Sequence, residues 1–156
     1  MNTTVRIVSN KTTVRFPASL PGEKGEAANR SGCVMVSPST SGSSALTTGT
    51  SKAVVRIPSE LGGMVLTDAG AGLATPSNSG AVSVQMRRVR AGASVNMLTT
   101  EITIDQNEYD SVTAATAGII NQSNRAVQAG DHIHFDVTSA GNSALGLVIS
   151  FTFQPV

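Results

Sequence analysis

The side chains best suited to chemistry are concentrated in one short stretch, Asp131-His132-Ile133-His134-Phe135-Asp136. On a β-strand, residues two apart share a face, so His132, His134 and Asp136 form a row of two imidazoles and a carboxylate. Such a set has the donor types to hold zinc or a related ion with an open coordination position. The same row is also what the polar face of an amphipathic strand looks like, with Ile133, Phe135 and Val137 turned toward a core. Neighbouring side chains on one strand diverge, so a chelate needs a further contributor, either a second strand or symmetry-related copies of this one. The expectation is a polar strand face, with no metal and no cofactor.

Other reactive groups are sparse. Cys33 is the single cysteine, which excludes an intrachain disulfide and, with only two histidines, a Cys/His zinc set. It sits in Asn29-Arg30-Ser31-Gly32-Cys33 with no histidine close in sequence, so it reads as a small hydrophobe rather than a nucleophile. Glu60, Asp68, Glu101, Asp105, Glu108 and Asp110 are scattered at strand ends and turns, where acids are readily solvated. Gly70-Ala71-Gly72 follows a strand, but neither a helix nor a Lys-Ser/Thr pair completes a phosphate loop. No nucleophile elbow or HExxH pattern occurs, and no catalytic residue is expected. Arg87, Arg88 and Arg90 form the one dense basic cluster. Arg87 and Arg88 point to opposite faces of a strand and no aromatic residues interleave them, which favours ion pairs or an interface over nucleic-acid binding.

Bulk composition points the same way. A net charge of +1 with 13% charged residues provides no field directed at nucleic acid, a membrane or an acidic substrate. No apolar run approaches the roughly 18 residues that span a bilayer, and the N-terminus lacks the basic and apolar regions of a signal peptide. Neither nucleic acid nor membrane is expected as a partner. Aromatics are 3% of the chain, with no tryptophan. A core of Val, Ile, Leu and Ala without large rings gains little per residue, so the chain is expected to complete its core against copies of itself.

The elements that position these groups read as strands. Thr3-Thr4-Val5-Arg6-Ile7 and Thr12-Thr13-Val14-Arg15-Phe16 are near-copies, each alternating and β-branched. An isolated two-stranded ribbon is marginal in water, so Val5, Arg6, Ile7, Val14, Arg15 and Phe16 are the candidate partner-binding residues. They would add to a sheet edge on another subunit; the alternative is pairing with the domain's own sheet. Val34-Met35-Val36 is a further short strand, and Ser37 to Ser51 has the composition of a flexible linker. The expected organisation is an extended arm over 1–36, a linker over 37–52 and a β-domain over 53–156. In that domain, strands are expected at Ala53–Ile57, Gly63–Ala69, Ala81–Val89, Glu101–Asp105, His132–Thr138 and Gly146–Phe153. The last two read as a hairpin across Ser139–Ala144. Helix candidates are poor, and short strands with Gly-rich turns imply an all-β sandwich or barrel.

Within this pattern, residues 62–153 resemble a module of tailed-bacteriophage virion proteins. The resemblance is carried by Gly80-Ala81-Val82-Ser83-Val84-Gln85-Met86-Arg87, by Ile102-Thr103-Ile104-Asp105, and most specifically by two closing motifs. These are Gly130-Asp131-His132-Ile133-His134-Phe135-Asp136-Val137-Thr138-Ser139-Ala140-Gly141 and Gly146-Leu147-Val148-Ile149-Ser150-Phe151. It implies a jelly-roll-like β-sandwich, often trimeric, on heads, necks or tail fibres, and supplies no catalytic residues. The expected role is that of a capsid decoration (cement) protein on the virion surface, assembled in the host cytoplasm. Its expected partners are itself, as a homotrimer, and the major capsid protein or another virion protein, reached through the arm. A tail-fibre or neck-associated module is the alternative.

Overall fold

The structure, a computed structural model, describes residues 4–7, 12–15, 32–36 and 44–156. Its elements are β1 (Thr4–Ile7), β2 (Thr12–Arg15), β3 (Gly32–Val36), β4 (Gly49–Arg56), β5 (Val65–Gly72), β6 (Ser79–Arg90), β7 (Ala93–Asn96), β8 (Leu98–Thr100), β9 (Ile102–Ile104), β10 (Ile119–Ile120), β11 (His132–Asn142) and β12 (Val148–Gln154). Single 3₁₀ turns at Ser59–Leu61 and Ser111–Thr113 are the described helical pieces. The fold is an all-β sandwich.

Its first layer has the strand order β1-β2-β3-β12-β5, and its second β4-β11-β6-β7, with β9 also paired to β6. A two-stranded piece, β10-β8, accompanies them. The chain crosses between layers from β3 to β4, β4 to β5, β5 to β6 and β11 to β12. At each of these crossings the two successive strands lie in different layers and do not pair with each other. The hairpin expected from β11 and β12 is therefore corrected. β11 pairs with β4 and β6, whereas β12 pairs with β3 and β5. Alternation shows that a strand has one apolar face, but that face is the same whether its neighbour in sequence lies beside it or across the core.

The inward faces follow the expected periodicity. Val82, Val84 and Met86 of β6, Ile102 and Ile104 of β9, Ile133, Phe135 and Val137 of β11, and Ile149, Phe151 and Phe153 of β12 are buried. The inward Phe135, Phe151 and Phe153 stand at the centre of a core otherwise built mainly from Val, Ile, Leu and Met. Phe135 of one layer meets Phe151 of the other with ring centroids 5.2 Å apart, and Phe153 packs edge-on to Phe151 at 5.6 Å. Offset and edge-to-face pairs at these separations add about 0.5–1.5 kcal/mol beyond burial. The few aromatics are placed where the two sheets meet.

β2 pairs with β3 through Val14↔Val34 and Arg15↔Cys33, and β3 pairs with β12, so of the two arrangements left open by the sequence the twin segments take the one that extends the domain's own sheet. Val34 and Val36 belong to the core. In the stretch read as linker, residues 44–52 pack against the sandwich. Leu46 is buried and its amide donates to Ala144 O at 2.8 Å, Ala45 bridges Leu145, and β4 begins at Gly49. Composition missed this because one inserted leucine and a backbone ladder suffice to hold a Ser/Thr/Gly-rich segment. Residues 37–43 lie outside the described residues.

Candidate functional site

Three features of the surface carry polar or unpaired groups, and each follows from local strand geometry. The first is the outer face of the second layer. As the two-residue period requires, His132, His134 and Asp136 share this face, opposite Ile133 and Phe135. In register, His134 lies opposite Arg87 of β6 and Val54 of β4. The β4 ladder slips between Phe135 and Val137, which pair with Ala53 and Gly49. The extra residues of β4 bulge outward over the row.

Within that bulge Ser51 has φ of +54°, a left-handed conformation that costs a non-glycine residue about 1–2 kcal/mol. Three contacts offset that cost. Its amide donates to Asp136 Oδ1 at 2.7 Å, and its Oγ lies 2.8 Å from His134 Nδ1. Arg87 grips Asp136 with two bonds, Nε to Oδ2 and Nη2 to Oδ1 (the latter 2.9 Å), and reaches Ser51 Oγ at 3.4 Å and Ser94 Oγ at 2.9 Å. Burial alone would raise the Asp136 pKa, but the Arg87 bonds and the Ser51 amide outweigh it and hold the carboxyl below its usual range. Burial lowers the His134 pKa, with help from the charges of Arg87 and His132 and against that of Asp136, which keeps the ring neutral at neutral pH.

A serine hydroxyl on a neutral imidazole is a nucleophile–base dyad, which catalysis completes with a third group that orients the base. That third group is missing in this geometry. Asp136 gives its oxygens to Arg87 and the Ser51 amide instead of orienting the ring, so the arrangement works as a clamp that pins β4 across β11 to β6. The same commitment removes Asp136 from the metal-ligand row. No group of three or more His, Cys, Asp or Glu positioned for a metal occurs among the described residues.

The second feature is a clamp at the end of β6. Arg90 makes a bidentate pair with buried Asp131, Nε to Oδ1 and Nη2 to Oδ2, both 2.7 Å. Asp131 also accepts from the Gln128 amide at 2.7 Å. Burial pushes its carboxyl up, and Arg90, the Gln128 amide and the charge of Arg88 bring it below its usual range. Arg88 turns the same way and donates to the carbonyls of Asn124 and Ala126. The three arginines thus divide as their alternation required, Arg87 to one face and Arg88 and Arg90 to the other. Two ion pairs and a tethered 124–131 loop result.

The third feature is a groove of about 560 Å³ along the outer edge of β5. Asp68, Ala69, Gly70, Ala71 and Gly72 line one side, and Asp110, Ser111, Ala117 and Gly118 are among the residues facing them. A second groove of about 300 Å³ adjoins it, sharing Asp68, Ala69 and Gly118 and reaching Ile119 and Gln122. Reading the sequence missed this site. By propensity Gly70 and Gly72 are breaks, although β5 runs through both. The usable signal was their smallness within a strand, which marks a close approach of another backbone.

Of the candidate partner-binding residues, Val5, Arg6 and Ile7 lie on β1, and Val14 and Arg15 on β2, with Val5 opposite Val14 and Arg6 opposite Thr13. Phe16 lies outside the described residues. Among the described residues, β1 pairs with β2 alone and forms the far edge of the first layer. Among known proteins, no family model, curated protein or solved structure matches this chain.

Proposed function

We propose that this chain is a non-enzymatic structural protein of a tailed-phage virion, one that decorates and stabilises the capsid. In this reading it oligomerises on the shell as a homotrimer and docks its N-terminal strands on the major capsid protein. The supporting observation is the edge created by the arm. β2 joins the sandwich through β3, and β1 then presents a row of backbone donors and acceptors that no other described strand pairs. Exposed edges of this kind are templates for adding a strand from another chain. The polar groups best placed for chemistry are already committed to holding β4 and the 124–131 loop, which favours a scaffold over a catalyst. The resemblance of residues 62–153 to phage virion modules supplies the setting.

The test is imaging of phage particles carrying a labelled copy, combined with shell binding by a chain lacking residues 1–16. That truncation removes β1 and β2 but leaves β3, whose Val34 and Val36 are core residues. Label on the shell, with binding lost on truncation, is the expected result. Tight shell binding by the truncated chain overturns the docking role. Label at the neck or fibre tip transfers the chain to the tail-fibre or neck-associated class.

A further inference from the structure

The groove beside β5 has a floor that follows from strand register. Two-residue alternation puts Asp68, Gly70 and Gly72 on the outer face of the first layer, while Ala69 and Ala71 turn inward and pack on the core. On β12, Ser150 stands opposite Gly70 and Val148 opposite Gly72, and both line the groove. With no side chains at 70 and 72, this face of the sheet sinks to its backbone.

Side-chain oxygens gather over that depression. A Cβ placed on Gly70 would stand 3.4 Å from Ser111 Oγ and 3.7 Å from Ser150 Oγ, and one on Gly72 would stand 3.7 Å from Asp110 Oδ2. Ser111 Oγ accepts from the Ala71 amide at 2.9 Å, which leaves its own hydrogen to donate. Asp110 Oδ1 accepts from the Val112 amide at 2.8 Å, so Oδ2 is the oxygen left for a ligand. Among the described residues, the Asp68 carboxylate and the Ser150 hydroxyl have no partner. Along β5 the order is thus a carboxylate at Asp68, two hydroxyls over Gly70 and a carboxylate at Gly72.

This order selects among ligands. Asp68 and Gly72 are four residues apart, about 13 Å at the usual rise of a strand, too far for one cation to bind both acids. A cation on either exposed carboxylate alone gains little, and an anion is repelled by both. A neutral sugar matches every group, because its hydroxyls donate to carboxylates and accept from serines. Its C–H faces can pack on Val148 and on Val112, which is 89% exposed. A volume of about 560 Å³, with about 300 Å³ more in the adjoining groove, holds a short oligosaccharide rather than a single ring.

We infer that this groove binds a neutral oligosaccharide, with Asp68 and Asp110 accepting from sugar hydroxyls at either end and Ser111 and Ser150 donating between them. β5 and β1 lie at opposite edges of the first layer, so the site is independent of the shell contact proposed above.

The test is titration of the full-length chain with maltotriose, cellotriose and chitotriose, read from backbone amide chemical shifts, with spermidine as a cationic probe. At least one trisaccharide is expected to shift the Gly70, Ser111 and Ser150 amides with a Kd of about 1 mM. Gly70→Ala is expected to weaken that binding about tenfold without lowering the melting temperature. A methyl there meets its neighbours at ordinary contact distance, yet it occupies the middle of the floor. Asp110→Asn keeps an acceptor for the Val112 amide and is also expected to weaken binding about tenfold, since bonds to a charged acceptor are the stronger ones. Absence of shifts with all three sugars up to about 20 mM overturns the inference, as do shifts centred outside the groove. Binding that Gly70→Ala leaves unchanged overturns it too. Spermidine moving these amides where the sugars do not assigns the groove to cations and equally defeats the proposal.

Discussion

Replacing Asp136 with alanine tests the clamp on β4 most directly. The substitution removes the acceptor of both Arg87 bonds and of the Ser51 amide. The Asp136 side chain is 9% exposed and that of Arg87 23%. Exposed ion pairs are worth about 0–1 kcal/mol, and breaking a buried one costs about 3–5 kcal/mol. The partial exposure of Arg87 lets water replace some of what is lost, and the orphaned Ser51 amide adds a smaller penalty. A loss of about 2–3 kcal/mol follows. With a urea slope of about 2 kcal/mol/M, reasonable for a domain of this size, the unfolding midpoint falls by about 1 M. Asp136→Asn keeps an acceptor for Ser51 and should lose less. Arg87→Met leaves a nearly buried carboxylate unpaired and should lose at least as much. In a double-mutant cycle the pair should couple by about 1–2 kcal/mol, as residues in direct contact do. A midpoint shift under about 0.25 M for Asp136→Ala, with unchanged slope, would falsify the reasoning, because the bonds would then be no better than those of a surface pair.

The same groups set a pH dependence. Folding lowers the pKa values of Asp131, Asp136 and His134, so in each case the unfolded chain holds more protons in the window between the two pKa values. Stability therefore falls on acidification, first below about pH 6.5 as His134 is asked to charge, then more steeply below about pH 4–5 as the carboxylates protonate. Urea midpoints across this range should show both steps, His134→Gln should flatten the first, and a midpoint constant from pH 7 to 4 refutes the assignment. Alanine at Gly141 (φ +59°) would drive its Cβ into Ser77 Oγ, whereas at Gly92 (φ +82°) nothing lies within 4 Å. Thermal melts should show a cost of about 3 kcal/mol or more for Gly141→Ala and about 1 kcal/mol for Gly92→Ala; equal costs would mean that the Ser77 contact is irrelevant. Phe151→Ala, which removes the ring shared by both aromatic contacts, should cost about 3–5 kcal/mol, and a loss under about 1.5 kcal/mol contradicts its central place in the core.

What the sequence discloses here is governed by the range of the interaction involved. The face of a strand depends on residues two apart, so Ile133, Phe135 and Val137 could be assigned inward, and His132, His134 and Asp136 outward, without any tertiary information. The division of the three arginines between faces was legible for the same reason. Sheet partners depend on contacts far apart in the chain. Asp136 meets Arg87 and Ser51, 49 and 85 residues away in sequence, and no local pattern announces a serine held in a left-handed bulge to reach it. The composition of its neighbours instead places Ser51 in a linker. The β5 edge was hidden by the opposite effect. Gly70 and Gly72 are turn formers by propensity, yet β12 supplies a ladder along β5, and tertiary pairing overrides the local preference. Those glycines then acquire a second consequence, since a strand made of Ala and Gly covers little of its own edge. The feature that weakens β5 as an isolated segment is thus the one that leaves a groove beside it.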